Sequence, residues 1–254
     1  MCSNSLVVES AFAILNKGHG TMSIRYEERL SDSPFVEKIT YGRTESAGAT
    51  IRPAESCWHM VFVKSHGAAL PLVVGPLTKA GIASWGEGAE ILWIKFKLGT
   101  FMPHLPTRSF LDTETSLPEA TSQSFWLKGS AWQFPDYENA DTFVDRLIRE
   151  DILVRDSVVN AALQGPLLET SPRTVRHRFL RATGLTQSQI HQFERAQRAA
   201  AMLRQGVSIL DTVYEAGYFD QPHLTRSLKQ WIGHTPAQLV PTHNWVAPKF
   251  ENVG

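Results

Sequence analysis

Up to about residue 100, apolar and polar positions alternate with a period of two. Ile24, Tyr26 and Leu30 alternate with Arg25, Glu27 and Arg29, and Leu92, Ile94, Phe96 and Leu98 alternate with Lys95 and Lys97. Successive side chains leave a strand on opposite faces, so this pattern predicts half-buried β-strands. The near-continuous apolar run Trp58–Val63 predicts a strand buried on both faces. Gly and Pro break these runs at Gly42, Gly48, Pro53, Gly67, Pro71, Gly75, Pro76, Gly81, Gly86 and Gly88. Several short strands joined by turns predict an antiparallel barrel or sandwich. From about residue 141 the period becomes helical, with one stripe at Phe143, Leu147 and Ile148 and another at Ile190, Phe193, Ala196, Ala200 and Leu203. Between them, residues 101–140 are rich in Pro, Ser, Thr and Trp and read as a loop-heavy connection packed on the barrel. The expected fold class is α+β, an antiparallel β barrel followed by an all-α part.

The helical part contains an internal repeat. Ser171–Ile190 and Asp220–Leu239 match in kind when Val175 is aligned with Leu224, an offset of 49 residues. Each copy opens on a capping residue (Ser171, Asp220), followed by an apolar pair at i and i+4 (Val175 with Phe179, Leu224 with Leu228). Each then reaches a glycine suited to a left-handed C-cap (Gly184, Gly233) and a threonine that opens the next helix (Thr186, Thr235). Before the second copy, Ser208 caps a short helix with Ile209, Val213 and Ala216 on its inner face. Gly217 turns the chain, and Tyr218 and Phe219 are expected to fill the corner. Pro222 falls in the first turn of the following helix, where a missing N–H costs nothing. With Leu224, Leu228, Trp231 and Ile232 inward, the outward positions are Gln221, Pro222, Thr225, Arg226 and Lys229. The same projection of the first copy exposes Arg173, Arg176, His177, Leu180 and Arg181.

Charge gives these faces a partner. The chain has 25 basic and 25 acidic residues in all, but residues 171–243 hold nine Lys or Arg against four acids. A basic module beside an acidic one points to a polyanion. An amide, a hydroxyl and an arginine along the outer face of a short helix can supply hydrogen bonds to base edges in a major groove. Thr186–Gln205, between the copies, is about 20 residues long and would span roughly 30 Å as a helix. Successive major-groove faces of B-DNA recur at roughly 34–36 Å, so this connector could present both helices to one side of a duplex. The alternative is a plain helical bundle whose arginines are simply solvated.

The elements RAxxAAxxLxxGxSI from Arg195 to Ile209, EAGYFDQPHLTRSLK from Glu215 to Lys229 and GHTPAQL from Gly233 to Leu239 resemble the DNA-binding module of AraC/XylS-type bacterial transcriptional regulators. The resemblance covers roughly residues 141–241. It implies a seven-helix tandem helix-turn-helix domain that binds double-stranded DNA, with Arg173, Arg176 and His177 on the first recognition helix. Gln221, Pro222, Thr225 and Arg226 would lie on the second, while Arg181 and Lys229 would touch phosphates. His177 stands where arginine is common and Pro222 where a polar residue is common. Gly165–Thr170 adds an unusual turn before the first copy, whose leading helix is expected at Asp156–Leu163. The resemblance also implies activation of transcription, contact with RNA polymerase, and an N-terminal cupin-like domain that binds a small-molecule effector, forms a homodimer, or both. The expected limits are residues 1–138 for that domain, with 101–138 as its connecting segment, 139–243 for the DNA reader and 244–254 for a tail.

Trp58, Trp85 and Trp93 are the candidates for an aromatic ligand pocket, against the plainer reading that they are core residues of the barrel. His19, His59, His66 and His104 do not form the H-x-H pair with a nearby carboxylate that a metal-binding cupin needs, so neither metal nor cofactor is expected. Esterase, zinc-protease and P-loop motifs are missing, and no enzyme is predicted. A cupin-type enzyme fused to a DNA reader would need metal ligands that are not evident. A methyl-transferring repair sensor carrying the same module needs four zinc thiolates, and the chain has two cysteines, Cys2 and Cys57. That number also fits a reducing cytoplasm. Leu6–Leu15 is interrupted by Glu9 and lacks a basic lead, so neither a signal peptide nor membrane association is expected.

Overall fold

The computed structural model describes residues 24–165 and 170–241. Cys2, Leu6–Leu15, His19, residues 166–169 of the unusual turn and the 244–254 tail lie outside them. The strands in chain order are β1 (Ile24–Leu30), β2 (Val36–Thr44), β3 (Gly48–Arg52), β4 (His59–Ser65), β5 (Ala68–Val74), β6 (Gly81–Trp85), β7 (Glu90–Phe96) and β8 (Thr100–Phe101). A 3₁₀ turn at Thr107–Phe110 leads to β9 (Glu114–Ser116), β10 (Glu119–Thr121), β11 (Ser124–Leu127) and β12 (Ser130–Gln133). The helices are α1 (Ala140–Arg149), α2 (Ser157–Gln164), α3 (Pro172–Thr183), α4 (Gln187–Arg204), α5 (Ile209–Glu215), α6 (Gln221–Trp231) and α7 (Pro236–Leu239), with a short β13 (Val154–Arg155) between the first two.

Six antiparallel strands form the main sheet in the order β1-β2-β7-β4-β5-β9. The apolar run at Trp58–Val63 is its centre. On β4, Met60 and Phe62 enter one face and Val61 the other, which is why the run does not alternate. The first face is covered by Phe125, Leu127 and Trp132 of the β10–β12 meander and by Phe143, Val144 and Leu147 of α1. The second is covered by Ala83 and Trp85 of β6, which pairs separately with β3.

The expected barrel is not closed. Among the described residues β1 and β9 are the free edges of an open sheet. Closure is unnecessary here because other layers bury both faces. The segment read as loop-heavy holds the meander, whose strands of three or four residues are too short to show a period. The stripe Phe143, Leu147 belongs to the sheet's core, and Asp141 on the same helix takes Arg29 and Ser31 of the β1 end.

The remaining helices form two small cores strung on α4. Val159, Ala162, Phe179, Ala182, Leu185 and Ile190 pack with Phe101 of β8. Phe193, Ala196, Ala200, Leu203, Tyr218, Leu224, Leu228 and Trp231 pack with Ala54, which follows β3. The connector therefore contributes one end to each core. Among the described residues no helix is long and apolar enough to cross a membrane.

Candidate nucleic-acid interface

Local chemistry sets both ends of each repeat copy. Ser171 Oγ accepts the Thr174 N–H at 3.2 Å and Asp220 Oδ1 accepts that of His223 at 2.6 Å, each satisfying an amide that has no partner within its helix. Gly184 and Gly233 close the copies at φ of 72° and 83°, a conformation that a side chain resists. Thr186 and Thr235 then form reciprocal capping boxes with Gln189 and Gln238. The leading helix of the first copy, α2, is capped by Asp156.

With Leu224, Leu228, Trp231 and Ile232 buried, α6 exposes Gln221, Pro222, Arg226 and Lys229. Thr225 is half-buried, and its hydroxyl donates to the Gln221 carbonyl at 2.9 Å. Its lone pairs and methyl remain for an outside partner. On α3, Arg173, Arg176, His177 and Arg181 are exposed and Leu180 is half-buried. Arg181 also rests 5.4 Å from the centre of the Phe101 ring, a cation–π approach.

Two arginines have structural work instead. Arg178 makes a two-pronged pair with Asp156 (2.8 and 2.9 Å), so the carboxylate that caps α2 also ties down α3. Arg195 lies 4.5 Å over Tyr218, at the corner between α5 and α6. Only Tyr218 fills that corner, with its hydroxyl 2.9 Å from Ser227 Oγ. Phe219 is 92 % exposed, correcting the expectation that both aromatics plug it.

The three candidate ligand tryptophans do not line one pocket. Trp58 stacks on Phe96 at 4.1 Å in the core of the first sheet face and donates to the Thr100 carbonyl. Trp85 and Trp93 belong to the second face. Among the described residues, Trp93 is the one of the three that lines a cavity of about 490 Å³ between the sheet and α4, together with Ala54, Cys57, Phe193 and Arg204. Glu55 in its wall bonds His59 (2.8 Å) and Lys95 (2.8 Å), and Lys95 also reaches Glu37 (2.9 Å). Burial pushes the Glu55 carboxyl up, but the facing His59 and Lys95 outweigh it and hold the group below the usual carboxylate range. Burial pushes the Cys57 thiol up to about 12, so it is a protonated wall residue at neutral pH. Of the other histidines, His66 bonds Ser65 at a positive φ and His104 is exposed.

Two capped units sharing one long helix, each with basic and amide side chains on an open face, define a tandem helix-turn-helix module. Residues 167–240 match the family model described as a helix-turn-helix domain. This part of the chain is therefore a helix-turn-helix domain. Among solved structures, ToxT from Vibrio cholerae is similar at 10 % identity, covering 85 % of this chain and 97 % of that one with a TM-score of 0.36. No curated protein matches the sequence.

Proposed function

We propose that α3 and α6 enter two successive major-groove segments of one duplex and that the sheet domain reports a small-molecule signal to them. Arg173, Arg176 and Arg226 suit guanine edges and Gln221 an adenine edge, with Pro222 and Thr225 in apolar contact. His177 serves a base or a phosphate, and Arg181 and Lys229 neutralise phosphates. The observation that carries this reading is the free face on each of two equivalent helices joined by α4. With 18 residues, α4 rises about 27 Å, near the groove repeat of roughly 34–36 Å.

For the signal, the cavity beside Trp93 is the candidate site, because Ala54 in its wall also belongs to the core of the second unit. An occupant that fits one arrangement of that wall shifts the population toward it. Selection of bound sequences from random duplex DNA by the purified protein tests the DNA reading. Two short blocks about one helical turn apart are expected, and no enrichment at low salt would leave only a solvated bundle. Melting temperature and size-exclusion mass, followed across a set of metabolites, test the signal. Stabilisation by one compound supports it, and a fixed dimer indifferent to all of them makes the sheet domain a dimerisation module.

A further inference from the structure

The repeat offset of 49 residues reappears in how the sheet domain holds the two units. Thr107 Oγ1 donates to the carbonyl of Ala182 at 3.2 Å, and the Ala54 N–H donates to the carbonyl of Trp231 at 2.7 Å. Residues 182 and 231 are equivalent in the two copies. A second donor, the Ala80 N–H, reaches the Gln230 carbonyl at 2.6 Å. These carbonyls lie in the last turns of α3 and α6, where the helix supplies no partner of its own, so each outside donor satisfies an otherwise orphaned acceptor. The equivalent glycines are held as closely. A Cβ on Gly184 would lie 3.3 Å from the Arg108 nitrogen, and one on Gly233 would be 3.1 Å from Ala80 Cβ and would fall on the Ile51 side chain.

The two grips are also linked to each other within the sheet domain. Phe110, at the end of the turn that starts with Thr107, is buried against Trp58. Just beyond it, the Asp112 carboxylate accepts the Thr78 N–H at 2.7 Å and its hydroxyl at 2.6 Å. Leu77 and Glu55 then exchange backbone hydrogen bonds of 2.7 and 3.1 Å beside Ala54. A path of short chain segments and hydrogen bonds thus runs from the α3 grip to the α6 grip without passing through α4. Both grips sit at helix C-termini and leave the outward residues near the N-termini free.

Resting on the proposed DNA reading, we infer that the sheet domain is a gauge: Thr107, Asp112, Ala54 and Ala80 fix the separation of α3 and α6 and so select the spacing of the two DNA blocks. One inserted base pair moves the second block by about 3.4 Å and turns it by about 35° about the duplex axis. A reader held at both ends rejects that displacement, and a reader joined by α4 alone accommodates part of it. Thr107 and Asp112 are positioning residues and touch no base.

The test uses the two-block duplex selected by the intact protein and versions with one or two base pairs added or removed between the blocks. Off-spacing duplexes should bind the unaltered chain at least about tenfold more weakly, the scale of losing good contacts at a base pair. Asp112→Gly removes both bonds to Thr78 while suiting the positive φ of 56° at that position. Thr107→Val removes the donor to Ala182 with little change in shape. Both should shrink the spacing penalty to about threefold or less while each block keeps its preferred bases. Folded variants that retain the full penalty would overturn the gauge and leave spacing to α4. Failure of the unaltered chain to select two blocks would instead bring down the DNA reading, and the gauge with it. Hydrogen exchange on the unaltered chain adds an arm that needs no variant. The Ala54 and Ala80 amides should exchange as slowly as those of the central strands, and rapid exchange would mean the grip is not held in solution.

Discussion

At position 178 of the first unit an arginine reaches back to Asp156. At the matching position of the second unit, 227, a buried serine meets the Tyr218 hydroxyl. Both contacts tie the second helix of the unit to what precedes it, one through a half-exposed ion pair and the other through two neutral hydroxyls. The interiors differ as much. Where the second unit has the buried Trp231, the first has Ala182, and its bulk comes from Phe179 and from Phe101 of the sheet domain. The copies agree instead in the cap that starts the helix, the left-handed glycine that ends it and the carbonyl that accepts from outside. Such a helix can be packed in more than one way, but its ends leave fewer choices, because unpaired backbone groups must find a partner wherever they are buried.

The interiors give the largest expected effects. Trp231→Ala should cost about 3–5 kcal/mol by opening a cavity in the second core. Phe101→Ala should cost a similar amount, about 3–5 kcal/mol, but in the first core. Amide exchange separates the two: α6 should lose protection in the first variant and α3 in the second. If both helices lose protection together in each variant, the two units form one cooperative body through α4 and the contrast between them has no energetic meaning.

The ties come next. Asp156→Ala removes a helix cap and strands Arg178, and is expected to lower stability by about 2–3 kcal/mol. Ser227→Ala removes one neutral hydrogen bond, worth about 1 kcal/mol. Denaturant midpoints measure both. The Asp156→Ala penalty should shrink in high salt because Arg178 is 43 % exposed, whereas that of Ser227→Ala should not move. Equal salt responses would mean that the ion pair acts only through its cap.

The same contrast separates what was legible in the chain from what was not. Ser171, Asp220, Gly184, Gly233 and both threonine starts were readable because capping is local, decided within three or four residues. The inward and outward faces of α6 followed from period alone. Phe219 did not, because hydrophobicity says that an aromatic prefers burial and nothing about whether Tyr218 has already taken the space. The open sheet was missed because alternation reports that a strand has a buried face, not what covers it. The destination of α1 was hidden for the same reason. Contacts such as Thr107 with Ala182 join residues 75 apart in the chain and leave no periodic trace. Local backbone chemistry was readable and the pairing of surfaces was not.

On the outer faces the effects are smaller and fall on DNA binding. His177 and Arg226 occupy matching positions. Arg226→Ala should cost about 1–3 kcal/mol of binding and relax preference at one base pair, with the melting temperature unchanged. If His177 holds a phosphate, His177→Ala should weaken all sequences alike. A lost base preference in the selected motif would instead make the two helices read by the same position.

The finest distinction concerns the two phosphate candidates. Lys229 is exposed, whereas Arg181 is exposed but settled on the Phe101 ring. Each cation that meets a phosphate releases counterions, so Lys229→Ala should reduce the salt slope of binding by about one without altering the motif. Arg181→Ala should reduce the slope by the same amount if its guanidinium bridges ring and phosphate, because a cation–π contact leaves the charge in place. A slope unchanged by Arg181→Ala, with a lower melting temperature, would assign this arginine to the hold of the sheet domain on the first unit. Phosphate neutralisation would then fall more heavily on the second unit, a functional asymmetry matching the one already present in the cores.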